Sequence, residues 1–198
     1  RKHRTCNSSM ADFSANAGPG CEDRPGHAHL PAISPLLWVG NEVSPACGGP
    51  FDTVISTVVP RRLDGKKAPA LSTHSVMFDD GQGSETSEGR DFARERILDG
   101  AELVAESVAK GYRTLVHCAW GQNRSGAICC AYAVRHAGMS AEAAIDHVRK
   151  QNRAQRKYNG QAWPGGPMHN TVFNHIIQDL ELERNPGANS GSRPCGIS

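Results

Sequence analysis

The fold is decided by the stretch VHCAWGQNRSG, residues 116–126. The apolar run over residues 114–116 is typical of a buried strand, and the apolar run over residues 127–134 is long enough for a buried helix. A strand that passes through a tight loop into a helix directs successive backbone N–H groups into one concavity at the positive end of the helix dipole. The sequence therefore predicts an anion site that contains one cysteine and one arginine.

Cys118 is the candidate nucleophile of this site. A thiol attacks only as the thiolate, and the ring of N–H groups, the helix N-terminus and Arg124 all favour the anion. A phosphoryl group offers several equatorial oxygens to the same N–H groups and to a bidentate guanidinium. A hydroxyl hydrogen bond from Ser125 would make the sulfur a better leaving group in a second step, and we expect His117 to orient the loop. The residues expected to hold the phosphoryl oxygens are Ala119, Trp120, Gly121, Gln122, Asn123 and Arg124.

This loop closely resembles the signature loop of the cysteine-based protein phosphatases, in particular the dual-specificity family. The resemblance extends over roughly residues 35–183 through three shorter pieces. Leu37-Trp38-Val39-Gly40 resembles the family's first strand, residues 51–56 resemble its second, and Asn170-Thr171-Val172-Phe173 resembles the Asn-x-x-Phe that opens its last helix. The resemblance implies an α/β fold in which helices flank a central, mostly parallel sheet.

The same resemblance implies a phosphomonoester hydrolase that works through a phosphocysteine intermediate, without a cofactor or a metal. It implies a shallow site that accepts phosphotyrosine and also phosphoserine or phosphothreonine. The expected partner is a phosphorylated protein or peptide. The indole of Trp120 either shapes the mouth of this site or packs beneath the loop.

Asp80 is the candidate general acid. We predict a third strand over residues 75–78, and in the resembling family an aspartate at the end of this strand protonates the leaving oxygen and later activates water. Matching strand to strand assigns that role to Asp80, which lies 38 positions before Cys118. This spacing is several residues longer than is usual in the family, so a longer loop must close over the site. Asp79 is the alternative acid, and both aspartates could instead be turn residues.

Composition predicts one catalytic domain, residues 31–184, between two flexible tails, residues 1–30 and 185–198, that are polar and rich in glycine, serine, asparagine and proline. The net charge of +2 is too small to favour nucleic acid or an anionic membrane surface. No apolar run reaches the ~18 residues that span a bilayer. His27 and His29, with His3 and Cys6 nearby, could form a metal cluster, although solvated loop histidines are the commoner case.

The seven cysteines are an odd number, and the nucleophile must stay reduced. Both observations favour a reducing, cytoplasmic compartment over a disulfide-bonded secreted protein. Cys129 or Cys130 could trap an oxidised Cys118 as a disulfide, or both could simply pack a buried helix.

Helical periodicity predicts helices over residues 88–110, with Gly111 after the end, from Ser140 to about Asn152, and from the cap Asn170 onward. The end of the second of these helices and the turn that follows it carry basic residues without an acid among them, which could attract phosphorylated substrates or simply be solvated. They are Arg149, Lys150, Arg153, Arg156 and Lys157.

The sequence also leaves two alternative functions open. The pattern Gly-x-Asn-Arg over residues 121–124 also resembles RNA 5′-triphosphatases of the same superfamily, although those enzymes do not depend on an aspartate acid such as Asp80. A module that binds a phosphorylated residue without turnover would need a defect outside the loop, for instance a misplaced acid.

Overall fold

The fold is taken from a computed structural model that describes residues 27–42, 44–47, 51–59, 70–81, 86–159 and 166–186. Within them, five strands form one sheet in the order β1-β2-β5-β3-β4. The strands are β1 His27–His29, β2 Leu37–Gly40, β3 Thr53–Ser56, β4 Ser72–Ser75 and β5 Thr114–His117. Only the pairing of β1 with β2 is antiparallel among these strands. The predicted α/β fold with a mostly parallel central sheet is confirmed.

The sheet register brings three strand ends to one point. Gly40 at the end of β2 and Ser56 at the end of β3 both lie opposite His117, the last residue of β5. Cys118 follows directly. Parallel sheets commonly bind ligands at the carboxyl ends of their strands, so this edge is where the topology places a site.

Helices cover the sheet and bury most of the apolar surface. They are α1 Ser44–Cys47, α2 Ser87–Ala109, α3 Arg124–Arg135, α4 Ala141–Asn159 and α5 Thr171–Arg184. Helix α3 is central, because its residues from Ser125 to Val134 are buried and α2, α4 and α5 all pack against it. In the part of the chain that the structure describes, every helix is too short or too polar to cross a membrane.

The predicted helix ends are confirmed at three positions. Gly111 follows α2 with φ 77°, in the left-handed region that favours glycine. Ser140 caps α4 by accepting the N–H of Ala143 at 3.2 Å. Asn170 caps α5 by accepting the N–H groups of Val172 and Phe173. However, α4 continues to Asn159, beyond its predicted end near Asn152.

The third predicted strand was wrong in position. Strand β4 comprises Ser72–Ser75, a polar stretch, whereas the prediction placed it over residues 75–78. The apolar alternation that suggested a strand is real, since Val76 and Phe78 are buried and Met77 is exposed. These residues continue past the sheet instead, after one last bond in which Val76 N–H donates to Ser56 O at 2.8 Å.

The predicted boundary of the first tail at residue 30 also differs from the structure. His27–His29 form β1 at the edge of the sheet, and Ala28 and Leu30 are buried. The ring of His29 stacks on Trp38 at 4.5 Å between centroids. A strand of three residues with two polar members carries too little periodicity to be recognised in sequence.

Candidate active site

The sulfur of Cys118 lies at the centre of the loop that follows β5. Its side chain is buried, and its Sγ accepts the backbone N–H of Gly121 at 3.1 Å and the hydroxyl of Ser125 at 3.3 Å. The backbone N–H of Cys118 donates to Gly40 O at 3.2 Å, which fixes the start of the loop on the neighbouring strand. The chain between residues 118 and 125 therefore curls around the sulfur and directs donors toward it.

Gly121 makes this curl possible. Its φ is 69°, and an added Cβ would lie 2.9 Å from the backbone carbonyl carbon and oxygen of Gly40. Neighbouring elements then hold the loop from outside, since Asn152 Nδ2 donates to Gly121 O at 3.0 Å and Met168 N–H donates to Gln122 O at 3.2 Å. With these carbonyls bonded outward, the opposite side of the loop presents N–H groups, as an anion site requires.

Arg124, the first residue of α3, contacts the segments that follow β3 and β4. Its Nη1 donates to Thr57 O at 3.4 Å and to Phe78 O at 3.3 Å, and its side chain is only 15% exposed. Its Nε lies 3.9 Å from Asp80 Oδ2. That Nε is buried and makes no hydrogen bond within the described residues. A buried, unbonded guanidinium N–H is a donor to which an oxyanion could bind.

Asp80 is the carboxylate that the structure brings to Arg124. Asn170 Nδ2 donates to its Oδ1 at 3.4 Å, and Asn123 Nδ2 donates to its Oδ2 at 3.4 Å. Burial raises the pKa of Asp80 above the usual value for an aspartate, while the Asn170 hydrogen bond, the Arg124 charge and the Asn123 hydrogen bond act in the opposite direction. A carboxyl with a raised pKa retains its proton to higher pH, which suits a proton donor.

Asp79 is placed differently. Its side chain is exposed, and its Oδ1 accepts the backbone N–H of Asp80 at 2.7 Å. Such an interaction between neighbouring residues is typical of an aspartate that stabilises a turn. Asp79 therefore shapes the segment that carries Asp80.

His117 lies behind the loop and is buried. Burial lowers the pKa of His117 to about 4, against a smaller opposing effect of the Cys118 backbone. The imidazole is therefore neutral near pH 7 and contributes no positive charge toward the thiolate. The role of orienting the loop stays a prediction.

Trp120 lies on the solvent side of the loop, with 61% of its surface exposed. Of the two alternatives, a tryptophan that packs beneath the loop is wrong, and a tryptophan at the mouth agrees with the structure.

Sequence reasoning missed the segment that precedes α5. Met168 has φ 53°, unusual for a residue other than glycine, and its sulfur would lie 2.6 Å from a Cβ added to Gly126. Asn123 Oδ1 accepts the N–H groups of His169 at 3.0 Å and Asn170 at 3.4 Å. The Asn-x-x-Phe pattern identified Asn170 as a helix cap, but nothing in the sequence connected it to Asp80.

Arg149, from the predicted basic patch, also supports this segment. Its Nη2 donates to Met168 O at 2.9 Å. This hydrogen bond holds the backbone next to the loop in place, so Arg149 has a structural role. The side chains of Arg153, Arg156 and Lys157 lie outside the described residues, so the substrate-attracting patch stays a prediction.

Cys129 and Cys130 lie in the buried part of α3, and both are free thiols, as is Cys118. Burial raises the pKa of both thiols well above the ordinary value. Their packing role is therefore evident, whereas disulfide formation with an oxidised Cys118 stays a prediction.

Among the residues that can be described, no group of three or more histidine, cysteine, aspartate or glutamate side chains could hold a metal ion.

Part of the chain matches a known protein family. Residues 82–162 match the family model described as the dual specificity phosphatase catalytic domain, a match that contains the whole cysteine loop and begins just after Asp80. No curated protein sequence matches the chain.

Solved structures share the fold at low sequence identity. Human DUSP28 has a TM-score of 0.57 and 22% identity, covering 77% of this chain and 92% of its own. A mouse dual specificity phosphatase in complex with zinc tungstate has a TM-score of 0.58 and 21% identity, with 92% and 97% coverage. The human tyrosine phosphatase-like serine/threonine/tyrosine-interacting protein has a TM-score of 0.53 and 20% identity, with 77% and 95% coverage.

Proposed function

We propose that this chain is a member of the dual-specificity phosphatase family, whose catalytic-domain model residues 82–162 match, and that it hydrolyses phosphomonoesters on tyrosine and on serine or threonine of proteins. The observation that carries the proposal is the set of hydrogen-bond donors around the sulfur of Cys118. Cys118 Sγ receives hydrogen bonds from Gly121 N–H and the Ser125 hydroxyl, in the loop that leads into Arg124, whose Nε lies 3.9 Å from Asp80 Oδ2.

In the first step, the Cys118 thiolate attacks phosphorus in line with the ester oxygen. The S–P bond forms, the P–O bond breaks, and Asp80 gives its proton to the leaving oxygen. The N–H groups of residues 119–124 and the Arg124 guanidinium bind the equatorial oxygens, where negative charge is concentrated.

In the second step, a water molecule replaces the sulfur. Asp80, now ionised, accepts a proton from that water as it attacks phosphorus. The P–S bond breaks, phosphate is released, and the sulfur leaves as thiolate with the Ser125 hydroxyl donating to it. Asp80 thus returns to its protonated form within one cycle, and the scheme requires no metal.

The rim of the pocket supports a broad substrate range. The Trp120 side chain is exposed and Asp80 is 28% exposed, which supports a site that is open to solvent. A shallow pocket of this kind would admit the short phosphoserine and phosphothreonine side chains as well as the longer phosphotyrosine.

The free thiols of Cys118, Cys129 and Cys130 support the proposal of a reducing, cytoplasmic location.

A substrate panel tests the proposal. Wild type, Cys118→Ser and the control Cys130→Ala are assayed for phosphate release from phosphotyrosine peptide, phosphothreonine peptide, phosphoinositide and 5′-triphosphate RNA. We expect wild type and Cys130→Ala to hydrolyse both peptides, and Cys118→Ser to lose at least about 10⁴-fold in kcat.

Other results would point to the alternatives. Preferred hydrolysis of the triphosphate RNA would favour the RNA 5′-triphosphatase. Binding of phosphopeptide without any turnover that depends on Cys118 would favour a non-catalytic module.

A further inference from the structure

We propose that the side-chain amides of Asn170 and Asn123, here called the amide clamp, are positioning residues that hold Asp80 in its place as general acid. The inference rests on the proposed function, because it assigns a role relative to the acid of that reaction. It extends the catalytic machinery to two asparagines that lie 90 and 43 positions away from Asp80 in sequence.

Asn170 holds both the backbone and the carboxylate of Asp80. Its Nδ2 donates to the main-chain O of Asp80 at 3.1 Å and to Oδ1 of the same residue at 3.4 Å. Two bonds from one amide group fix the position of the residue and the direction of its side chain together. The Asp80 N–H is held as well, by Asp79 Oδ1.

The orientation of the Asn170 amide is determined by its other end. Its Oδ1 accepts the first free N–H groups of α5, from Val172 at 3.0 Å and Phe173 at 3.4 Å. Because the carbonyl end must face these donors, the NH₂ end must face Asp80. Asn170 therefore ties the acid to a fixed point, the N-terminus of a helix whose apolar face is buried in the core.

Asn123 ties the acid to the phosphate-binding loop itself. Its buried side chain donates to Asp80 Oδ2 through Nδ2, while its Oδ1 accepts the N–H groups of His169 and Asn170. The same reasoning fixes the direction of this amide, since two backbone donors require the oxygen on their side. Asn123 also immediately precedes Arg124, so one short stretch of chain positions both the phosphate ligand and the proton donor.

The clamp meets a mechanical need at this site. Asp80 lies past the end of β4, on a segment that the sheet holds only as far as Val76 N–H. Without further contacts, the carboxyl would be free to turn toward solvent. A misplacement of about 1 Å can lower the rate of a catalysed step about 10²-fold, so contacts that hold the carboxyl have a direct catalytic value.

The alternative is that Asn170 serves only as the cap of α5. Asn170→Ser separates the two roles, because serine is as good an N-cap as asparagine but has no NH₂ group to donate to Asp80. Asn170→Thr is a second variant that keeps the cap and also lacks the donor. In the full chain, we measure kcat on phenyl phosphate, a poor leaving group, and on 4-nitrophenyl phosphate, an activated one.

We expect the ratio of kcat on phenyl phosphate to kcat on 4-nitrophenyl phosphate to fall about tenfold in Asn170→Ser, with the midpoint of thermal unfolding close to wild type. Asn170→Ser added to Asp80→Asn should lower the ratio no further, because the clamp acts only through the acid. Asn123→Ser, which removes the donor without adding a charge beside Asp80, should lower the ratio in the same way.

An unchanged ratio in both Asn170 variants would overturn the inference. So would an equal loss on both substrates, or a further loss when Asn170→Ser is added to Asp80→Asn, since a residue that acts elsewhere would give either result. The failure of the proposed function looks different. In that case Cys118→Ser retains turnover, or Asp80→Asn itself leaves the ratio at the wild-type value.

Discussion

The two halves of the pocket are built in opposite ways. The nucleophile half, residues 118–125, is a continuous stretch between β5 and α3, and Cys118, Gln122, Asn123 and Ser125 are each at most 5% exposed. The acid half is a short segment around Asp80 that is partly open to solvent and is held by side chains from distant parts of the chain. A buried loop can hold donors in a fixed array, whereas a segment at the surface is held in place only by its contacts with neighbouring elements.

Arg124→Lys should have the largest effect, because Arg124 is where the two halves meet. Its guanidinium reaches Thr57 O, Phe78 O and the vicinity of Asp80 at once, and a lysine ammonium cannot reproduce that fork. We expect kcat/KM on 4-nitrophenyl phosphate to fall about 10²–10³-fold. The control is Arg90→Lys, at a surface ion pair with Asp179. A loss in Arg124→Lys no greater than in that control would mean that Arg124 does not bind the phosphoryl group.

Asp80→Asn should have the next largest effect and should be selective. We expect kcat on phenyl phosphate to fall about 10²-fold, and much less on 4-nitrophenyl phosphate, because only the poorer leaving group needs a proton. Since burial raises the pKa of Asp80, the protonated acid persists above the ordinary value of about 3.9 and is lost as the pH rises. The decline of wild-type activity with rising pH should therefore disappear in Asp80→Asn.

Asp79→Asn is the matched control for the acid. Its side chain is exposed and takes part in a turn, so we expect a loss of about threefold or less on either substrate. If Asp79→Asn alone produced the leaving-group dependence, the assignment of the acid to Asp80 would be wrong.

Gly121→Ala should have a smaller effect that falls on stability, and Gly111→Ala is its matched control. Both glycines have positive φ, but an added Cβ at Gly111 meets nothing within 4 Å, whereas at Gly121 it lies 2.9 Å from the Gly40 backbone. We expect Gly111→Ala to lower the free energy of unfolding by about 1–2 kcal/mol. Gly121→Ala should lower it by at least about 1 kcal/mol more, because the backbone must shift.

Denaturant unfolding measures both glycine variants. Equal losses in Gly111→Ala and Gly121→Ala would mean that the nucleophile loop is not held rigidly against Gly40. The contrast between a nucleophile half that is held by its own packing and an acid half that is held by distant side chains would then fail.

The same contrast explains what could be predicted from the sequence. The nucleophile half is local, so a strand, a loop and a helix in direct succession identify Cys118, Arg124 and Ser125 together. The mostly parallel sheet was implied by the family resemblance, which this loop carries most strongly. Both predictions depend on residues that are neighbours in the chain.

The acid half depends on contacts between residues that are far apart in sequence. Asp80 could be placed only by matching strands, and the strand used for the match begins three residues earlier than predicted. Asn170 carries a clear capping signal, but the second use of its amide becomes visible only when α5 is packed beside Asp80. Strand β1 was missed for a similar reason, because its two histidines gain their partners Trp38 and Phe51 only in the folded sheet.

The central claim is that Cys118 carries the phosphoryl group during turnover. The most direct measurement is mass spectrometry of the full chain after rapid acid quenching with 4-nitrophenyl phosphate. We predict a phosphate adduct on the peptide that contains Cys118, which is present in wild type, accumulates further in Asp80→Asn and is absent in Cys118→Ser. Turnover in wild type without any adduct on that peptide, together with comparable turnover in Cys118→Ser, would contradict the account.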